Sequence, residues 1–193
     1  MSDCGETGRW DDNRDNRGIM ITAAIIGKGP TFCYHRPAGC DLVIAINEAA
    51  IAMRDAPDIA IASDWEPLAM LNLWRPIRKF QLAAPECKES KRVKPDIMWA
   101  PLPGEEDWRQ VGRADPRFYS ASYTSTAAVW LAWVMGAKEV LAYGIGGMGY
   151  HYAFEGKPGG GAQQGEQALS LLKEVCVAKK MGLWVDDEQE VPL

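Results

Sequence analysis

Short apolar runs that end abruptly in glycine or a polar side chain recur along this chain. The first, residues 21–26 (ITAAII), stops in the turn Gly27-Lys28-Gly29-Pro30-Thr31. Its length and bounding glycines predict a buried strand, and glycines just past a strand end let backbone N–H groups approach a ligand closely. Residues 42–47 (LVIAIN) form a second run, which ends at Asn47 as the helix formers of residues 48–53 begin. Residues 58–63 (DIAIAS) repeat the pattern and run into Asp64-Trp65-Glu66-Pro67. Runs that are apolar on both faces, separated by helical or loop segments, predict a parallel sheet covered on two sides. Residues 79–83 and 96–100 are weaker strand candidates.

In the second half, residues 101–116 are rich in Pro, Gly and charge and read as an excursion from the sheet. Thr124 and Ser125 are N-cap residue types placed ahead of residues 126–135 (TAAVWLAWVM), which are apolar around the whole circumference. Such a segment predicts a helix buried between the sheet and another layer. Gly136 supplies its C-terminal stop. Residues 139–144 (EVLAYG) predict the next strand, running into Ile145-Gly146-Gly147-Met148-Gly149. Residues 156–161 (GKPGGG) read as a flexible loop. Beyond them, Ala168, Leu171, Leu172, Val175 and Ala178 share one face of an amphipathic helix that Gly182 is placed to end. Residues 183–185 predict a last strand, and the acidic stretch of residues 186–190 is expected to be solvated. No linker divides the chain. The expected fold class is α/β: a single Rossmann-like three-layer domain with a mostly parallel sheet over residues 19–193, after a mobile tail over residues 1–18.

Composition narrows the function classes. A chain of 193 residues that is 47% hydrophobic can bury roughly 70% of its unfolded surface without disulfides. The net charge of −5 argues against a nucleic acid polymer as partner, because neutralising a phosphate backbone needs clustered Lys and Arg. The cluster Lys88, Lys91, Arg92 and Lys94 reads as a solvated loop. The five cysteines, Cys4, Cys33, Cys40, Cys87 and Cys176, are odd in number and lack paired spacing, which predicts free thiols in a reducing cytoplasm. Cys33, His35 and Cys40 are spaced more widely than zinc ligands usually are, so no metal is expected. Residues 1–18 lack the apolar core of a signal peptide, with Trp10 the one large apolar side chain after Met1. The longest strongly apolar segment, residues 127–135, is too short to span a bilayer. The expectation is a cytoplasmic protein with no membrane partner and no cofactor. Eight tryptophans, among them Trp65, Trp74, Trp130 and Trp133, exceed the needs of a small core, and an apolar homo-oligomer surface is one outlet for them.

The candidate chemistry sits at the strand exits. The segment Gly27 to Thr31 is neither a P-loop nor a complete GxGxxG fingerprint. It leaves a glycine turn with Lys28 available for a phosphate and Thr31 for a hydroxyl hydrogen bond, at a helix N-terminus if a helix follows. Asn47 reads either as a ligand contact in the crevice at the sheet edge or as a cap for the next helix. Asp64 and Glu66 read as a carboxylate pair for Mg²⁺ or, the favoured reading, with Asp64 as a helix cap. His151, in Gly149-Tyr150-His151-Tyr152, has the pKa range of a general base. His35 lies near the first glycine turn, within reach of a phosphate there, although a loop histidine is the stronger reading.

The order of GKGPT at residues 27–31, Ile46-Asn47, Ser63-Asp64-Trp65 and YTSTAAVWLAWVMGAKEVLAYGIGG at residues 123–147 resembles a known family. It is similar to the bacterial sialyltransferases of the Campylobacter type and to the related Rossmann-like putative glycosyltransferases with domain of unknown function 115. The resemblance covers residues 21–147. It implies that the turn Gly27, Lys28, Gly29, Pro30 and Thr31 holds nucleotide phosphates, with Lys28 standing where the family has Asn and Thr31 where it has Ser. It also implies that Asn47, Thr124 and Ser125 touch the donor. Gly146 departs from the family pattern, which carries an acidic residue there, and the family's catalytic His lies later than His151.

The resulting expectation is a nucleotide or nucleotide-sugar ligand bound, without metal, by a glycosyltransferase-like protein. Its binding residues would be Gly27 to Thr31, Asn47, Ser63, Asp64, Trp65, Thr124, Ser125, Thr126, Gly144, Ile145, Gly146 and Gly147, with His151 and Tyr152 on the acceptor side. The alternative is a non-catalytic phage-type protein that sequesters a host signalling nucleotide. A nucleoside hydrolase using Asp64 and Glu66 ranks third, since no second carboxylate cluster accompanies them.

Overall fold

The computed structural model describes residues 20–29, 31–103, 106–115, 117–119, 123–145 and 162–186. Within them, eight strands build one sheet in the order β6-β5-β4-β3-β2-β1-β7-β8, and each neighbouring pair is parallel. The strands are β1 (Ile21–Ile26), β2 (Leu42–Ile46), β3 (Ile59–Ile61), β4 (Gln81–Pro85), β5 (Ile97–Pro101), β6 (Arg117–Phe118), β7 (Ala137–Tyr143) and β8 (Gly182–Val185). The helices are α1 (Ala49–Ala52), α2 (Trp65–Arg78), α3 (Ser90–Val93), α4 (Thr124–Val134) and α5 (Ala162–Ala178), with a short 3-10 turn at Trp108–Gln110.

From β1 the chain steps outward through β2 to β6, then returns under the sheet through α4 to place β7 on the other side of β1. Parallel crossovers share one hand, so steps in opposite directions put their helices on opposite faces. Strand periodicity then builds two cores. Ala23, Ile25, Ile44, Ile46, Ile61 and Val140 pack with α4 and α5 on one face. Ala24, Ile26, Val43, Ala45 and Leu82 pack with α1 and α2 on the other. The expected three layers are therefore present.

Helix α4 shows why the sequence reads as it does. Every residue from Ser125 to Trp133 is buried, because the helix lies on β1, β2 and β7 and is itself covered by α5. Only a helix without a polar face satisfies that position. The stop falls where expected, with Gly136 at φ 101°.

Several local expectations differ. Among the described residues no helix follows the first glycine turn. Residues 31–41 cross the α1–α2 face as an irregular connection that contains Pro37 and a positive-φ Gly39, and it is pinned by Arg36. The Arg36 guanidinium donates to both carboxylate oxygens of Asp58, at 3.0 and 2.9 Å, while Asp58 also accepts the Val43 N–H at 2.7 Å. Tyr123, not Thr124 or Ser125, occupies the N-cap position of α4. The turn after α5 is made by Lys180 at φ 54°, and Gly182 opens β8. Strand β6 was not expected, since two residues set between a Pro and a Tyr carry too little pattern to read. The expected tail over residues 1–18, the loop over residues 156–161 and most of the acidic stretch lie outside the described residues.

Candidate functional site at the β1–β7 switch point

In an open parallel sheet, ligands bind beyond the carboxyl ends of the strands, where successive connections diverge to opposite faces. Here that point lies between β1 and β7. The residues after these two strands meet directly. Gly27 N–H donates to the Tyr143 carbonyl at 2.8 Å, and Gly29 N–H donates to the Gly144 carbonyl at 2.7 Å. Gly144 N–H in turn donates to Thr31 Oγ1 at 2.9 Å. A Cβ on Gly27 would stand 2.5 Å from the Gly144 carbonyl oxygen, and one on Gly144 would stand 2.7 Å from that of Gly27. Gly144 also holds φ 60°, in the left-handed region. Both glycines are thus required by close backbone approach.

This contact changes the roles expected of the turn. The Gly27 and Gly29 amides are spent on the exit of β7, and Thr31 holds the second exit in place. Lys28 forms an ion pair with Glu48, Nζ to Oε2 2.7 Å, both side chains mostly buried. That pair spans the exits of β1 and β2. Glu48 escaped the sequence reading; its signal was an acid placed directly after a polar strand exit.

Asn47 sits at φ 53° at the exit of β2, with its N–H bound to the Ile61 carbonyl at 2.9 Å. Its side chain caps nothing: α1 has no side-chain cap, and Asn47 Oδ1 is buried without a hydrogen-bond partner. A helix joining parallel strands runs antiparallel to them, so the N-terminus of α4 lies at this same edge. Its first amides have no intrahelical partner, as at any helix start. Thr126, in the first turn, is fully buried with an unpartnered Oγ1, and one turn later Trp130 Nε1 is unpartnered as well. Buried polar atoms are rarely left unpaired, and here an amide oxygen and a hydroxyl are left so near the carboxyl edge of the sheet.

The topology therefore brings Gly27, Asn47, Ser63, Gly144 and the Thr124–Ser125–Thr126 turn to one edge. Asp64 takes the N-cap position of α2 by its backbone, but its carboxylate makes no capping bond. Trp65 is exposed. His35 is not at this edge. Its Nδ1 lies 3.2 Å from Asp55 Oδ2 near the amino end of β3, and its backbone carbonyl accepts from Cys33 Sγ at 3.0 Å. Among the described residues no group of three or more His, Cys, Asp or Glu is placed to hold a metal ion. Cys33, Cys40, Cys87 and Cys176 are free thiols, and burial pushes the Cys176 thiol up to about 12. Pro30, Gly146, Gly147, His151 and Tyr152 lie outside the described residues.

Away from the edge, Lys179 is buried and donates to the carbonyls of Trp108, Arg109 and Val111 at 3.0, 3.1 and 2.8 Å. It also lies 4.6 Å from the ring centroids of Trp130 and Trp133. This lysine fastens the β5–β6 connection to the end of α5, and burial pulls its ammonium below the ordinary lysine range. The aromatic cluster around it accounts for Trp108, Trp130 and Trp133 as core, not oligomer surface.

Comparison of the chain with protein-family models, curated proteins and solved structures finds no match. Among the described residues no helix is long and apolar enough to cross a membrane.

Proposed function

We propose that this chain binds a nucleotide or nucleotide-sugar beyond the carboxyl ends of β1, β2 and β7, as a glycosyltransferase-like protein whose site needs no metal. The observation that carries this reading is the pair of unpartnered buried atoms, Asn47 Oδ1 and Thr126 Oγ1, at the edge where α4 presents its N-terminus. Free helix-start amides attract phosphate oxygens, and a sugar or base supplies the N–H and O–H groups that an amide oxygen and a hydroxyl require. Lys28 would answer phosphate charge by exchanging Glu48 for the ligand.

The Lys28–Glu48 pair also supports the second reading, a protein that retains the nucleotide without turning it over. Metal-free glycosyl transfer must stabilise a departing phosphate, and here Lys28 is already offset by a carboxylate.

Native mass spectrometry of the purified chain, followed by denaturation and identification of any released small molecule, tests both. A retained or titratable nucleotide that stays intact supports sequestration. A nucleotide-sugar split into its parts supports transfer. Failure of a panel of nucleotides and nucleotide-sugars to bind at millimolar concentration would overturn the reading.

A further inference from the structure

Strands β7 and β8 carry an aromatic pair on the face turned away from α4 and α5. Leu183 and Val185 pack against the core beneath those helices, so strand alternation turns Trp184 to the other face. There its ring meets that of Tyr143 edge to face, with centroids 5.6 Å apart and planes at 61°. The helices packed on that face, α1 to α3, join β2 through β5 on the far side of β1, and Trp184 is left 47% exposed. Tyr143 is partly buried against the α1–α2 core, as are Cys33 and Cys40 of the connection after β1.

The pair is continuous with the switch point. Tyr143 directly precedes Gly144, and its carbonyl accepts the Gly27 N–H at 2.8 Å. Strand β8 is the second strand from β1 on this side, roughly 10 Å away at ordinary strand spacing, a distance that one nucleotide bridges. We infer that Trp184, backed by Tyr143, is the platform on which the nucleobase of the ligand stacks. The inference rests on the nucleotide reading above and adds where the base lies: the phosphate meets the α4 N-terminus and the base covers the β7–β8 wing. An open aromatic ring beside a nucleotide site offers stacking to any base, since every base has a π-face. Local charge selects the same part of the ligand. Glu139 and Asp186 are paired in register with Gly182 and Tyr143 or follow them, on the face that Trp184 occupies. Two carboxylates there oppose a phosphate and leave the ring to an uncharged group.

Calorimetric titration of the full chain with adenosine, guanosine, cytidine and uridine monophosphates, and with ribose 5-phosphate, tests this. Circular dichroism confirms that each variant folds, which is expected because Trp184 lies at the surface. Trp184→Ala should weaken the nucleotide by about tenfold and leave ribose 5-phosphate, which has no base, unchanged. Trp184→Phe keeps a ring and should recover most of the affinity. A nucleotide that binds Trp184→Ala as tightly as the wild type would overturn the platform and leave the phosphate site standing. A dependence on Trp184 seen only with nucleotide-sugars would put the sugar on the ring and overturn it too. If none of these ligands binds the wild type, the nucleotide reading falls and the inference with it.

Discussion

Gly27 and Gly144 each occupy the space that the other's side chain would need. A Cβ on either would press to within 2.5–2.7 Å of the partner's carbonyl oxygen, so the two strand exits interlock by backbone alone. Gly27→Ala is expected to cost about 1–3 kcal/mol through overpacking. Gly144→Ala should cost about 1 kcal/mol more, because alanine at φ 60° is strained. Since both variants break one contact, the double variant should cost less than the sum. Urea unfolding of the three variants measures this, and full additivity would show that the exits do not act as a unit.

Thr126→Val removes an unpartnered buried hydroxyl while keeping the side chain's shape. Deleting an unsatisfied polar atom of that kind stabilises the ligand-free protein, here by about 1 kcal/mol. The same change should weaken nucleotide binding, because the ligand loses a partner. Thermal shift with and without ligand reads both effects, whose opposite signs separate a binding residue from a structural one.

Glu48→Gln releases Lys28 from its ion pair. Anionic ligands should then bind about twofold to fivefold more tightly, as expected for loss of one competing, partly exposed carboxylate. Lys28→Met should act in the opposite direction. Titration calorimetry at fixed ionic strength distinguishes these outcomes from no change, which would place the ligand away from the β1–β2 exits.

Lys179→Met leaves the carbonyls of Trp108, Arg109 and Val111 without their common donor. The expected loss is about 1–3 kcal/mol, the range for stranded buried polar groups. The methionine still fills the space between the tryptophans. Hydrogen exchange should show the β5–β6 connection loosening before the rest of the sheet.

Side-chain hydrogen bonds from Arg117, at 2.9 Å to Oδ1 and 2.7 Å to Oδ2 of Asp115, hold that carboxyl below its ordinary range. The unfolded chain then binds the proton more readily, so stability rises with pH in this window. The contribution is complete above about pH 4 and is lost as pH falls through the lowered value. Arg117→Gln should flatten the acid limb of the stability profile by lowering stability at pH 7 toward its value below the acid transition, a small loss because both side chains keep contact with water.

The strands and the buried helix were legible in the chain because their signals are local. An apolar run bounded by glycine can hardly be anything but a covered strand, and TAAVWLAWVM has no face to give to water. Boundaries moved by a residue or two, as for Ile59–Ile61 and Gln81–Pro85, because side-chain burial and ladder hydrogen bonds end at different residues. The positions of Gly27, Asn47, Thr124 and Gly144 could be singled out from residue type, and parallel topology placed them at one edge.

What each of them does there depended on atoms distant in sequence. That Gly29 spends its amide on Gly144, that Lys28 answers Glu48 and that Asn47 Oδ1 lacks a partner follow from the packing of β1 between β2 and β7. No run of neighbours encodes such contacts. The sequence determined which segments must be buried, since burial is paid residue by residue in apolar area. Only the tertiary structure decided which polar groups satisfy one another, because a hydrogen bond is fixed by the positions of two partners, and one partner's surroundings say nothing of where the other will be.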